Sequence, residues 1–124
     1  MKNAQTIEES VAFYLKAWNE KEPEAIKAAL NQCLTPDITY IDVMTPLVNG
    51  IKEFVNLIMH SHSISPGRTF HLPKPLEGHN NTALYTWILR RPGKLDHYAM
   101  DFIEYNDENK ITRIVGFINP SALA

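Results

Sequence analysis

The chain has a single cysteine, Cys33, so it can form no internal disulfide, and a reducing, cytoplasmic setting is expected. No stretch approaches the roughly 20 consecutive apolar residues of a membrane helix. The opening MKNAQTIEES has no apolar run after its lysine and does not read as a signal peptide. Membrane partners are therefore not expected. An excess of positive charge is also missing. The 12 Lys and Arg are dispersed and stand against 14 Asp and Glu, for a net charge of −2. Nucleic-acid binding needs a concentrated basic face, so no such partner is expected. Several chemical signatures are absent too. There is no Gly-x-Ser-x-Gly nucleophile motif, no phosphate-cradling glycine loop and no dinucleotide fingerprint. The histidines, His60, His62, His71, His79 and His97, show no metal-type spacing, so neither zinc nor another cofactor is expected. There is no internal repeat or low-complexity segment.

What is present suits one domain spanning 1–124, since 44% of its 124 residues are hydrophobic and can build one core. Thr6 with Glu9 fits a capping box, in which each side chain satisfies an orphan amide of the first turn. Ile7, Val11, Tyr14, Leu15 and Trp18 then recur at helical spacing, which turns Tyr14 inward. Pro23 suits the first turn of a second helix that buries Ile26, Ala29 and Leu30 and ends at Thr35-Pro36-Asp37. A strand is expected over 38–43, then a loop from Thr45 to Gly50. A third helix carries Ile51, Phe54, Val55, Ile58 and Met59 on one stripe and stops before Ser65-Pro66-Gly67.

From Arg68 onward the texture is that of strands. Four runs, 69–76, 83–90, 95–105 and 111–118, are separated by three turn clusters, as in an antiparallel meander. Pro73 and Pro75 cannot donate to a ladder and demote the first run to an edge or bulged strand. Helices first and a meander last predict an α+β fold, with three helices packed on one face of a curved sheet. Long antiparallel strands twist and curl, and a curled sheet closed by helices encloses a cavity.

Asp101 is the most informative residue. It interrupts the apolar strand Tyr98-Ala99-Met100-Asp101-Phe102-Ile103. A carboxylate removed from water is costly unless paired or protonated, and burial raises its pKa. The alternatives are a water-facing aspartate or a partner for Arg113 on the next strand. Asp42 ends the first strand, where side chains often emerge from a rigid scaffold, though it equally suits capping of the loop that follows. Tyr14 is either a phenol with a functional partner or a packed tyrosine bonded to a backbone carbonyl. His62 ends the apolar stripe of the third helix. His97 shares a strand face with Ala99, Asp101 and Ile103. Cys33 reads as a packing residue, Trp87 as a core or cavity-wall aromatic, and Arg90 and Arg91, beside Pro92-Gly93, as solvated residues.

The order and spacing of these segments resemble the NTF2-like superfamily over nearly the whole chain. Phe13-Tyr14-Leu15-Lys16-Ala17-Trp18-Asn19, Ile26 to Leu30 and Pro36-Asp37-Ile38-Thr39-Tyr40-Ile41-Asp42 resemble ketosteroid isomerases and SnoaL-like cyclases. So does the glycine-started helix Gly50-Ile51-Lys52-Glu53-Phe54. Ser65-Pro66-Gly67-Arg68-Thr69-Phe70, Trp87, Asp101 and Lys110-Ile111 resemble SnoaL-like members in particular. The resemblance implies the superfamily's cone-shaped fold. It also makes one set of three isolated residues. Tyr14 matches the tyrosine that donates to an enolate oxygen, Asp101 the protonated acid that donates beside it, and Asp42 the base. Trp18, Phe54, Ile58 and Trp87 are expected to wall the pocket. His62, His71, His97 and Phe117 are expected to complete it.

Some positions depart from the ketosteroid-isomerase pattern. Val55 stands where a second supporting tyrosine is common, and Val43 rather than proline follows Asp42. These differences and the histidines speak against a steroid, less against enolisation in general. The implied activity is a cofactor-independent isomerase or aldol-type cyclase acting on a small apolar carbonyl compound. A non-catalytic binding or assembly domain is the alternative, as is a dehydratase or an epoxide hydrolase using an Asp–Arg–Asp arrangement with Arg113. The outer face of an open, curved sheet still carries apolar residues, so a homodimer is expected.

Overall fold

The structure is a computed structural model that describes residues 6–123. Residues 1–5 and 124 lie outside the described residues, and with them half of the opening segment read above for a signal peptide. No helix among the described residues is long and apolar enough to cross a membrane.

Helix α1 (Ile7–Asn19) opens on the expected capping box. The Glu9 amide donates to Thr6 Oγ1 and the Thr6 amide donates to Glu9 Oε1, both at 3.1 Å. Helix α2 (Pro23–Cys33) starts on its proline. Strand β1 (Leu34–Asp42) follows at once, four residues earlier than the sequence predicts. Pro36 lies where its register against the last strand slips, between Leu34 and Thr39, so its missing N–H breaks no regular ladder.

The expected loop after β1 is instead an antiparallel edge strand, β2 (Thr45–Asn49). Asp42 Oδ1 accepts the Met44 amide at 2.8 Å, and this turns the chain back on itself. Gly50, at φ +83°, takes the left-handed step from β2 into helix α3 (Gly50–Ile64). Beyond it, β3 (Thr69–His71) is only three residues long. The predicted run of 69–76 stops there, because Pro73 and Pro75 interrupt it.

The predicted turn cluster at 77–81 in fact contains β4 (Glu77–His79). Asn80 and Asn81, both at positive φ, fold it onto β5 (Thr82–Arg90), as a tight hairpin turn requires. Strands β6 (His97–Tyr105) and β7 (Ile111–Phe117) complete the meander, and a short 3₁₀ turn (Pro120–Leu123) ends it.

The sheet order is β2-β1-β7-β6-β5-β3, with β4 also on β5. All pairings are antiparallel except β1 with β7, so the sheet is mixed. It is curved and unclosed, and the three helices pack on its concave face, as the α+β expectation holds. Two local features then position the site. Cross-strand register sets Tyr85 opposite Asp101, and Asp101 opposite Gly116. The Asn19 side chain ties the end of α1 to β3, donating to the Phe70 carbonyl at 2.9 Å and accepting its amide at 2.8 Å.

Candidate active site

Between α1, α3 and the concave face lies a cavity of about 620 Å³. Its wall includes Tyr14, Asp42 and Asp101, together with Trp18, Tyr40, Phe70 and Trp87. The three candidate residues thus open onto one shared space, although they come from α1, the end of β1 and the middle of β6.

Asp101 keeps only 4% of its surface exposed. Both carboxyl oxygens accept a hydrogen bond from its cross-strand neighbours on β5. Tyr85 Oη donates to Oδ2 at 2.9 Å, and Trp87 Nε1 donates to Oδ1 at 3.1 Å. Period-2 alternation explains the pair: Tyr85 and Trp87 are two apart and share the concave face. Burial pushes the Asp101 carboxyl up to about 7, further helped by the negative charge of Asp42, while the two donors pull the other way. Near neutral pH this group is therefore poised between acid and base.

Asp42 is held differently. Tyr40 Oη donates to Oδ2 at 2.6 Å, and the Met44 amide donates to Oδ1. Asp42 therefore caps its turn and also faces the cavity, two roles the sequence left as alternatives. Gly116 on β7, between β1 and β6, leaves the room that brings the two acids together. A Cβ added there would lie 3.2 Å from Asp42 Cβ, 3.3 Å from Tyr40 Oη and 3.4 Å from Asp101 Oδ1. The close approach of these groups depends on a residue with no side chain.

The phenols of Tyr14 and Tyr40 are both raised well above the ordinary tyrosine value, first by burial and then by neighbouring charges that include both aspartates. The Trp18 indole, edge-on to the Tyr14 ring with centroids 6.5 Å apart, opposes the rise. Both phenols are protonated donors at neutral pH. Phe54 packs edge-on to Tyr14 (centroids 5.8 Å apart) and also touches the rings of Trp18 and Tyr40. It is fully buried behind the wall, as is Ile58, so both back the cavity without lining it.

The other end of the cavity is basic. Arg68, Arg91, Lys94 and His60 line it. Arg91, expected as a solvated turn residue, follows the inward alternation of β5 past the end of that strand.

Besides Phe54 and Ile58, four more expected wall residues are off the wall. His62 Nε2 bonds the Glu20 carbonyl at 2.6 Å, and His60, two residues earlier on the helix, takes the place on the wall. The two cannot share a direction on a helix. His71 turns to Thr69 Oγ1 at 2.8 Å. His97 is on the inward face, as alternation predicts, but sits behind Trp87, with ring centroids 6.4 Å apart. Its pKa is lowered by burial and by Arg91. Phe117 points to the convex face and is 61% exposed, because Gly116 takes the inward position. Arg113 also points outward and pairs with Glu104 at 3.8 Å, so it is not the Asp101 partner that two of the alternatives required. Among the described residues no three His, Cys, Asp or Glu side chains gather, so no residues are assigned to a metal.

Tyr40, Tyr85, Arg68 and Gly116 escaped the sequence reading. Tyr40 and Tyr85 were findable in principle: each is two residues from a candidate on a strand or directly opposite one. Arg68 and Gly116 carry no local signal, since their roles exist only once separate elements are packed.

The folded state binds the Asp101 proton more tightly than the unfolded chain, where the carboxyl returns to about 3.8. The stabilisation is complete below that value and is lost as pH rises through about 7. The wild type should therefore lose stability relative to Asp101→Asn between about pH 4 and pH 8, by at most about 4 kcal/mol. Urea unfolding of both proteins across that range measures it, and a difference independent of pH would contradict the burial of a titrating Asp101.

No family model matches this sequence, and no curated protein matches it significantly. Solved structures do match. A SnoaL-like family protein from Agrobacterium tumefaciens is 27% identical, with a TM-score of 0.81 over 90% of this chain and 95% of that one. A protein of ketosteroid isomerase-like fold from Catenulispora acidiphila, in complex with trimethylamine, is 14% identical, with a TM-score of 0.76 over 92% and 88%. An LEH-like epoxide hydrolase from M. tuberculosis is 14% identical, with a TM-score of 0.67 over 94% and 84%. The chain thus has the fold of the SnoaL-like and ketosteroid isomerase-like proteins that it matches, which is consistent with the NTF2-like superfamily.

Proposed function

We propose that the protein is a cofactor-independent acid–base enzyme that removes a proton alpha to the carbonyl of a small, largely apolar compound, as an isomerase or aldol-type cyclase. The observation that carries this reading is the pairing in one cavity of a carboxyl pushed up to about 7, Asp101, with a second carboxylate, Asp42, whose charge contributes to that rise. A carboxyl that can hold its proton near neutral pH, facing a second carboxyl group across one cavity, is the arrangement that acid–base chemistry at neutral pH needs.

In the proposed step Asp42 takes the proton from the alpha carbon. The C–H electron pair moves into a C=C bond, and the carbonyl oxygen becomes an enolate oxygen. The O–H groups of Tyr14 and neutral Asp101 donate to that oxygen. Tyr40 and the Met44 amide hold the Asp42 carboxylate in place. Where the substrate carries a β,γ double bond the enolate is a dienolate, and return of the proton from Asp42 to its γ carbon gives isomerisation. Attack of its carbon on a second carbonyl gives cyclisation. A reducing, cytoplasmic setting fits the buried thiol of Cys33. A homodimer fits the convex face, where Tyr98, Met100, Leu84 and Phe117 are exposed together.

Deuterium exchange alpha to the carbonyl, followed by NMR in a panel of small ketones, tests the chemistry. Asp42→Asn should slow exchange by about 10²–10⁴-fold and Tyr14→Phe by about 10²–10³-fold. The rate should fall as pH rises through about 7, because ionised Asp101 can no longer donate. Exchange at the same rate in wild type and Asp42→Asn removes Asp42 from the mechanism. Light scattering should return the mass of two chains, and that of a single chain would contradict the dimer.

A further inference from the structure

The cavity is polarised. Its carboxyl groups, Asp42 and Asp101, are at one end, and every other charged or titratable group on its wall apart from the phenols is basic: Arg68, Arg91, Lys94 and His60. Arg68 is the least expected of these, since it is only 2% exposed. Its Nε donates to Ser61 Oγ at 3.0 Å, its Nη1 to the Trp18 carbonyl and its Nη2 to the Ile58 carbonyl at 3.5 Å. Its guanidinium carbon lies 5.6 Å from the Trp18 ring centroid and 4.9 Å from that of Phe70. These partners are hydroxyl, carbonyls and aromatic faces, and among the described residues no carboxylate pairs with it. Burial lowers its pKa to about 10, which leaves it fully charged at neutral pH. A buried cation with no carboxylate among its own partners favours an anion at its end of the cavity.

Arg90 is off the cavity wall, and its charge is met by Asp96 at 3.2 Å. Arg91 and Lys94, which are on the wall, add positive charge to the same end as Arg68. Two rings lie between Arg68 and Asp101. Phe70 stacks edge-on against Trp87 at 5.3 Å, and Trp87 in turn donates to Asp101. A ligand bridging the ends would lay an apolar or aromatic body along these rings.

We propose that the substrate is an anionic carbonyl compound, whose carboxylate is held at the Arg68–Arg91–Lys94–His60 end while its carbonyl reaches Tyr14 and Asp101. This names the substrate class for the proton-abstraction reading above and rests on it.

The test uses 3-benzoylpropanoate and its neutral isostere 3-benzoylpropanamide, which share one ketone and differ only in charge. Calorimetric titration should show the carboxylate binding about tenfold or more tightly. Added salt should shrink the preference. Lys94→Gln combined with Arg91→Gln should remove most of it. Arg68→Lys, with folding checked by circular dichroism, should weaken carboxylate binding more than amide binding. Equal affinities in the wild type, or no measurable binding of the carboxylate, overturn the proposal. Deuterium exchange at the ketone alpha carbon, read in the same samples, separates the two claims. Asp42-dependent exchange without a carboxylate preference removes only the anion. A carboxylate preference abolished by the basic-end variants, without exchange, supports the anion site and removes the chemistry.

Discussion

A carboxyl group shut away from water must either be matched by a positive charge or share its burden with a proton and neutral donors. Asp101 follows the second course, and much of the surrounding structure serves it. Tyr85 and Trp87 satisfy its two oxygens without neutralising it. Helix α1 covers it with Tyr14, and the Phe54 ring wedged behind Tyr14 holds that phenol in place. The nearest arginine in the ladder, Arg113, is turned to the convex face and occupied by Glu104. An internal ion pair would have fixed Asp101 as a charged, inert structural group. Its absence leaves a group that exchanges its proton close to neutral pH.

The sheet topology explains why a second acid lies so near. β7 sits between β1 and β6, parallel to the first and antiparallel to the second. This joins the end of the first strand to the middle of the sixth across one residue, Gly116. Remote parts of the chain thus meet without any helix or loop having to reach over. The basic groups arrive by another route, from the last turns of α3, the segment before β3 and the turn after β5. The separation of charge along the cavity therefore follows from which elements form each end.

The helices and the last three strands were legible in sequence because each is fixed by local patterns: the capping box at Thr6, the proline at the start of α2, the apolar stripes and the period-2 runs. β2 and β4 were not. Each is short, contains or adjoins turn-forming residues, and is a strand only because a neighbour offers it a ladder. Among site residues, the isolated aspartate in an apolar strand was a strong signal. So was Tyr14 on an inward stripe. The histidines misled because polarity near a cavity says nothing about rotation: His60 and His62 differ by two residues and face different surroundings. Phe117 was misplaced by the Gly116 inward position beside it. Arg68 is the clearest case of information present only in three dimensions, since its partners come from α1, α3 and β3.

The fold supports several chemistries, so the conclusion rests on the site and not on likeness to other structures. Its core is the state of one carboxyl. Carbon-13 NMR of aspartate-labelled protein, with Asp101→Asn used to assign the resonance, reads that state directly. The Asp101 carboxyl carbon should titrate with a midpoint near 7. A midpoint in the ordinary carboxylate range, about 4, would contradict the account.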